Sequence, residues 1–159
     1  MIIAHLPSGY IAYRASGHRS RFVFWGCLLG AIFPDFDLIW FYFVDGRAVH
    51  HHRYWVHIPG VWLASTLVAL PVLWRMKPAF RHAGIAFLTL WFIHLCLDSI
   101  VGSIMWLWPI SDQFFQLATV QPTHSRFILS FMAHWSFALE IALWITAIVL
   151  FLKRPRIEH

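Results

Sequence analysis

Residues 22–44 read FVFWGCLLGAIFPDFDLIWFYFV, an apolar run long enough to cross a bilayer, with two carboxylates beside a proline. A transmembrane helix needs roughly 17 to 25 predominantly apolar residues. An acidic residue near the centre of such a helix costs about 2.5 to 3.5 kcal/mol on insertion scales. The run therefore predicts a membrane protein in which Asp35 and Asp37 have a role that offsets this cost.

The composition of the whole chain agrees with this interpretation. Of its 159 residues, 60% are hydrophobic and only 12% are charged, and the mean hydropathy is +0.65. Because soluble domains carry about 25% charged residues, the composition excludes a soluble globular fold, a disordered chain and a disulfide-rich secreted scaffold. We expect a single membrane-embedded domain that comprises residues 1–159.

Three further apolar segments predict additional transmembrane helices. They are residues 61–74, 83–108 and 127–152, and Pro109 follows the second of them. Residues 1–13 are apolar but too short to cross, so we expect a re-entrant or interfacial segment that breaks at Pro7-Ser8-Gly9. The predicted fold class is an all-α integral membrane bundle of about four transmembrane helices.

Basic residues flank these segments asymmetrically. Under the positive-inside rule, three basic clusters share the cytoplasmic side with both termini. We therefore expect a multi-pass protein of the inner (plasma) membrane, whose basic flanks face lipid rather than nucleic acid. The clusters are Arg14, Arg19 and Arg21, then Arg75, Lys77 and Arg81, then Lys153, Arg154 and Arg156.

Four of the seven acidic residues lie inside the apolar segments, together with two histidines. In the predicted topology these six side chains and the loop with His50, His51, His52 and His57 share the middle or outer part of the membrane. A multivalent cation explains carboxylates and imidazoles at one depth, because coordination offsets the cost of burial. The six are Asp35, Asp37, Asp98, Glu140, His94 and His134.

This mixture of ligands predicts a divalent metal centre, mononuclear or dinuclear. Zinc is the first choice, with manganese or iron as alternatives, because these ions accept carboxylates together with several histidines. His94 and Asp98 are one helical turn apart and can bind one ion, although a structural hydrogen bond between helices is the alternative for this pair. Whether His134 and Glu140 belong to the centre stays open.

Four short motifs follow one another in the chain: His5-Leu6-Pro7-Ser8-Gly9, Pro34-Asp35-Phe36-Asp37, His52-Arg53-Tyr54-Trp55-Val56-His57 and His94-Leu95-Cys96-Leu97-Asp98. In this order they resemble the YdjM-like family of inner-membrane metal-dependent hydrolases, also called the DUF457 group. Gly102 and Pro109 fit the next segment of the family pattern, whereas Val56 and Val101 stand where it has threonine. The resemblance implies the metal ligands His5, Asp35, Asp37, His52, His57, His94 and Asp98.

The expected function is hydrolysis of a phosphoester or phospholipid-like substrate by a metal-activated water. Asp37 is the candidate general base, and Arg53 is the candidate contact to a phosphate. The alternatives are a transporter of divalent metal ions or protons and a membrane scaffold with a structural metal. The inner halves of the segments hold almost no polar groups, which favours a site over a transport path. The oligomeric state stays open.

Overall fold

The computed structural model describes residues 3–153, apart from the side chain of Phe127. Arg154 and Arg156, which we counted in the last basic cluster, lie outside the described residues. No strand occurs in residues 3–153, where an isolated antiparallel bridge pairs Ile104 with Phe115. The α-helices of this range are α1 (His5–Ala15), α2 (Arg21–Ile32), α3 (Asp37–Phe43), α4 (Pro59–Arg75), α5 (Pro78–Asp98), α6 (Phe127–Met132) and α7 (Trp135–Leu152).

The first predicted transmembrane segment is a pair of helices joined by a bend. The hydroxyl of Ser20 caps α2 by accepting the N–H of Phe22. A proline cannot donate a backbone hydrogen bond, and Pro34 starts a 3₁₀ turn, Pro34–Phe36, which continues into α3. The two halves meet at 56°. The bend places Asp35 in the turn and Asp37 at the first position of α3.

The N-terminal segment does not break at Pro7-Ser8-Gly9, so that prediction is wrong. Helix α1 runs through all three residues, because a proline in the first turn of a helix loses no hydrogen bond. Gly9 permits a close approach to α2, since a Cβ there would lie 2.9 Å from both Cβ of Ala31 and the carbonyl oxygen of Cys27.

The third predicted segment, residues 83–108, is helical only in part. Helix α5 begins earlier, at Pro78, and ends at Asp98. Beyond it, the N–H of Gly102 donates to Asp98 O at 2.6 Å, and Ile104 exchanges backbone hydrogen bonds with Phe115. Residues 99–108 are thus apolar but non-helical, because their backbone groups pair within turns and with a later part of the chain.

The last predicted segment, residues 127–152, is divided into α6 and α7. The break follows Met132, and the His134 side chain accepts the N–H of Ser136 as the cap of α7. Helix α4 extends the predicted segment 61–74 slightly at both ends.

The helices pack around α5 and α2. Helix α5 contacts α2 and α4, and α1 lies against α2 and α7. Gly26 and Gly30 of α2 face the backbone of Ala83 and Phe87, where a Cβ would overlap the facing carbonyl oxygen. Small residues at a helix interface allow such close contact without a need for large apolar burial.

Two described helices, α5 and α7, are long and apolar enough to cross a membrane, and the bent pair Arg21–Ile32 with Pro34–Phe43 could provide a third crossing. Helix α4 has 17 residues and rises about 26 Å at 1.5 Å per residue, somewhat less than a hydrocarbon core of about 30 Å. The protein is therefore a helical protein with two or three candidate membrane crossings, and the predicted fourth rests on α4.

Candidate metal centre

The carboxylate of Asp98, at the last position of α5, is the meeting point of four imidazole rings. Asp98 is buried, with 2% of its surface exposed. Oδ1 lies 3.1 Å from Nε2 of His5. Oδ2 lies 3.0 Å from Nε2 of His94 and 3.5 Å from Nε2 of both His52 and His57. Four ring nitrogens of the same kind thus converge on one carboxylate from α1, α5 and the loop before α4.

In three of these rings the opposite nitrogen is held by an oxygen acceptor. Carbonyl and carboxylate oxygens only accept, so each Nδ1 must carry the hydrogen, and Nε2 of a neutral ring then presents its lone pair. This is the arrangement in which proteins orient histidine ligands of metal ions. The Nδ1–H groups donate from His94 to Ala31 O at 2.7 Å, from His52 to Ser103 O at 3.0 Å and from His57 to Asp37 Oδ2 at 2.7 Å.

When a ring is neutral, an Nε2 lone pair that faces a buried carboxylate repels it unless a cation lies between them. Nε2 of His57 and Nε2 of His94 are buried and have no hydrogen-bond partner in the described part of the chain, although both lie near Asp98. A buried polar atom without a partner is costly. The residues present therefore fit a divalent metal ion, since coordination would satisfy both the imidazoles and the carboxylate.

Three overlapping groups have ligand atoms within 4.8 Å of one another. They are His5, His94 and Asp98, then Asp35, His57 and His94, then His51, His52 and His57. His57 and His94 each belong to two groups. Every member is buried or half-buried, and the Asp35 side chain is the most accessible of the carboxylates near the centre, at 32% exposed. The cluster thus offers ligand sets for one or two ions, and Asp35 is its accessible member.

Local structure explains how residues so distant in sequence reach Asp98. Helix α1 brings its first residue, His5, into a stacked contact with His94, with the ring centroids 3.6 Å apart. Two 3₁₀ turns, His51–Arg53 and Trp55–His57, direct the loop histidines inward. The indole of Trp91 in α5 donates to Val56 O at 2.7 Å and holds this loop against the helix.

The loop histidines differ in protonation. Burial lowers the pKa of His52 to about 2 and that of His51 to about 4. Burial also opposes the charged form of His57, but the carboxylates of Asp37 and Asp98 outweigh it and raise the pKa of His57 to about 9. Neutral imidazole is the form that binds a metal. His51 and His52 are therefore ready to bind near neutral pH, whereas His57 must first release a proton.

The structure brings six of the seven predicted ligands together. They are His5, Asp35, His52, His57, His94 and Asp98. The seventh, Asp37, contacts the far nitrogen of His57 and so orients that ring. Arg53 is exposed, with its guanidinium 5.9 Å from the ring centre of Phe114.

Sequence reasoning did not single out His51. It lies beside His52, with the ring centroids 3.9 Å apart, and joins the group with His57. Three consecutive histidines have no periodicity that distinguishes inward from outward side chains. The signal lies in the 3₁₀ turn itself, which the sequence does not reveal.

His134 and Glu140, which the sequence left open, have roles elsewhere. His134 caps α7. Glu140 is fully buried and accepts the N–H of Ile3 at 2.8 Å, while the indole of Trp144 donates to Ile3 O at 2.8 Å. These two contacts attach the segment before α1 to α7.

The fold and this cluster define an all-α membrane protein with buried His/Asp groups that could bind a metal ion. The chain belongs to the YdjM inner membrane protein family, whose profile it matches over residues 1–156. The sequence resemblance is thereby confirmed over nearly the whole chain, and the family description agrees with the expected inner-membrane location. No curated protein and no solved structure shows significant similarity to the chain.

Proposed function

We propose that this protein is a membrane-embedded, metal-dependent hydrolase of phosphoesters, with a phospholipid-like substrate. The observation that carries the proposal is the convergence of four Nε2 atoms on the Asp98 carboxylate, three of them in rings oriented through Nδ1. A purely structural cluster has no need to orient three imidazole rings through their Nδ1 atoms so that each Nε2 faces one buried carboxylate. A substrate that resides in the bilayer accounts for a centre built among apolar helices.

The residues that would hold the metal are Asp98 and the histidines of the three groups around it. Oδ1 of Asp98 faces His5, whereas Oδ2 faces His52, His57 and His94. We assign Asp98 as the central carboxylate that would hold one or two ions, with zinc preferred over manganese or iron because of the histidine excess. When bound, such ions supply a Lewis acid for the phosphoryl oxygen and an activated water.

Side chains around the centre would act as the general base, orient a histidine ligand and contact the phosphate. Asp35 is the accessible carboxylate, with Oδ1 3.7 Å from Nε2 of His94, and it is placed to accept a proton as general base. Asp37 holds the Nδ1 proton of His57. Arg53 is free to reach a phosphate from the protein surface, since in the described chain its guanidinium contacts the Phe114 ring and no carboxylate.

Two other functions are less well supported. A transporter needs polar groups along the whole path, but the buried residues of α5 that precede His94 are Leu88, Leu90 and Trp91. A scaffold with a structural metal does not need an accessible carboxylate such as Asp35 at the edge of the cluster. Both observations favour a reactive site.

For the topology we propose four crossings, with both termini in the cytoplasm and the centre in the outer half of the membrane. The crossings are the bent pair, α4, α5 and α7. Reporter fusions after Lys77 and after Gln116 should then give opposite signals, because α5 separates them. Matching signals would refute this arrangement.

Metal content and hydrolysis together test the proposed function. The full-length protein, purified in detergent, should contain metal, and it should hydrolyse bis(p-nitrophenyl) phosphate and phospholipid in vesicles. Chelation should abolish this activity and zinc should restore it. Asp98→Asn and His94→Ala should lose metal and activity together.

Two variants provide matched controls. Glu140→Gln alters another fully buried carboxylate but keeps an oxygen that can accept the Ile3 N–H, and His134→Ala removes another histidine of an apolar segment, which caps α7. Both should keep their metal content. Unchanged metal stoichiometry in Asp98→Asn and His94→Ala, with lower melting temperatures only, would refute the metal centre. In that case the lower melting temperatures would reflect a lost interhelical hydrogen bond, which costs about 0.6 to 2 kcal/mol.

A further inference from the structure

An aromatic cavity of about 450 Å³ opens beside the metal centre. It lies between the bend that joins α2 to α3 and the loop before α4. Three of the aromatic side chains that form its walls are largely exposed: Trp40 at 56%, Trp55 at 57% and Phe36 at 52%. The residues that line it and matter here are Phe33, Phe36, Asp37, Trp40, Tyr54 and Trp55.

One carboxylate faces these aromatic rings. The Asp37 side chain is only 6% exposed. Its Oδ2 accepts the Nδ1–H of His57, whereas its Oδ1 is buried and has no hydrogen-bond partner among residues 3–153. In the described chain no lysine or arginine forms an ion pair with Asp37, and His57 is its single charged partner. A buried carboxylate oxygen of this kind is costly without a hydrogen-bond donor, and a bound ligand can supply one.

We propose that this cavity binds the primary ammonium of an ethanolamine-type phospholipid headgroup. Aromatic faces, tryptophan above all, attract organic cations. The carboxylate adds charge complementarity, and its second oxygen can accept an N–H. A quaternary ammonium has no N–H to donate, and a hydroxyl carries no charge to offset the carboxylate. The primary ammonium satisfies both requirements.

The position of the cavity relates this headgroup to the centre. Asp37 and Asp98 contact opposite nitrogens of the same imidazole, that of His57. The cavity and the centre are therefore separated by about the width of one ring. In an ethanolamine phosphodiester, two carbons and one oxygen join the ammonium to phosphorus, which is a similar length. The inference rests on the proposed function in one respect, namely that the phosphodiester bound here is the substrate.

Headgroup binding by the full-length protein tests the inference. Dihexanoyl phosphatidylethanolamine and its choline and glycerol counterparts are titrated by calorimetry into protein as purified and after chelation. The ethanolamine lipid should bind about tenfold or more tightly than the other two, since a hydrogen bond to a charged group contributes about 1.5 to 3 kcal/mol. Asp37→Asn should abolish the preference.

Tryptophan variants keep the test valid if Asp37→Asn fails to fold. Trp40→Leu removes an aromatic wall and should weaken ethanolamine and choline lipids by several-fold. Trp25→Leu changes a tryptophan of equal exposure, 56%, on the surface of α2 outside the cavity. It should bind all three lipids as the wild type does.

The outcomes separate this inference from the proposed function. Equal binding of the three lipids, or tighter binding of the choline lipid, overturns the inference, and so does equal loss in Trp25→Leu and Trp40→Leu. A preference for ethanolamine without hydrolysis supports the headgroup site and refutes the hydrolase. Hydrolysis of all three lipids at equal rates, without a difference in binding, supports the hydrolase and refutes the headgroup site.

Discussion

Gly102→Ala is expected to weaken metal binding. Gly102 does not have a positive φ, so alanine meets no backbone strain there. Its Cβ, however, would lie 2.5 Å from Cε1 of His52. Non-bonded carbon atoms pack at about 3.5 to 4.0 Å, so the ring must move by about 1 Å.

That movement removes the hydrogen bond that orients the ring. Nδ1 of His52 lies 3.0 Å from Ser103 O, and a shift of about 1 Å takes the pair beyond hydrogen-bond distance. Loss of such an outer contact typically reduces metal affinity about 10- to 100-fold. We expect a loss of this size for zinc.

The assay is a competition titration of zinc against a chromophoric chelator, with the full chain in one detergent. The matched control is Gly84→Ala, whose Cβ would have its three nearest atoms in the flexible side chain of Leu73 and should leave zinc affinity unchanged. Melting of the metal-free proteins shows whether both variants fold. If Gly102→Ala folds and binds zinc as tightly as the wild type, His52 is not a ligand held in the way described.

Three further changes have defined outcomes. His134→Ala removes the cap of α7 and should lower the free energy of unfolding by about 1 kcal/mol, which melting would show, while metal content by elemental analysis stays constant. The pKa of His57 is raised to about 9 in the metal-free protein, so zinc must displace a proton. Zinc affinity should thus rise about tenfold per pH unit from pH 7 and level off above pH 9, and equal dissociation constants at pH 7 and pH 8.5 would contradict this. The same proton stabilises the metal-free fold below pH 6.5, and its contribution is lost as the pH rises through 9. Gly30→Ala places a Cβ against the backbone of Phe87 and should destabilise the fold by about 1 to 3 kcal/mol, whereas a melting temperature equal to that of Gly84→Ala would contradict the close packing of α2 on α5.

The sequence predicted the residues around Asp98 better than it predicted the helices that carry them. The cost of burying charge is a local property, so a carboxylate in an apolar run such as Asp98 is informative wherever the helix ends. The four-residue spacing of His94 and Asp98 also places both side chains on one face of a helix. These signals do not depend on the path of the chain between motifs.

The end of α5 shows what hydropathy cannot predict. Residues 99–108 are as apolar as the helix before them, yet they form turns and a bridge between Ile104 and Phe115. An apolar run indicates burial or contact with lipid. Either environment is compatible with a non-helical backbone where other protein groups satisfy the hydrogen bonds of that backbone. The predicted helix therefore continued ten residues too far.

The direction of the side chains was the second property that the sequence did not predict. Asp35 and Asp37 are equivalent in the motif, but the bend after Pro34 places Asp35 near His94 and Asp37 on the far side of His57. Which carboxylate meets the centre depends on the 3₁₀ turn and on the loop that packs against it. Neither is encoded in the spacing of the motif.

The attachment of Ile3 to Glu140 and Trp144 has a consequence for biosynthesis. Ribosomes make α1 first and α7 last, and more than a hundred residues separate Ile3 from its two partners. His5 therefore emerges early but acquires its final orientation only when the last helix has been inserted. Assembly of the four-imidazole cluster is then a late event in membrane integration, and a nascent chain arrested before α7 would leave it incomplete.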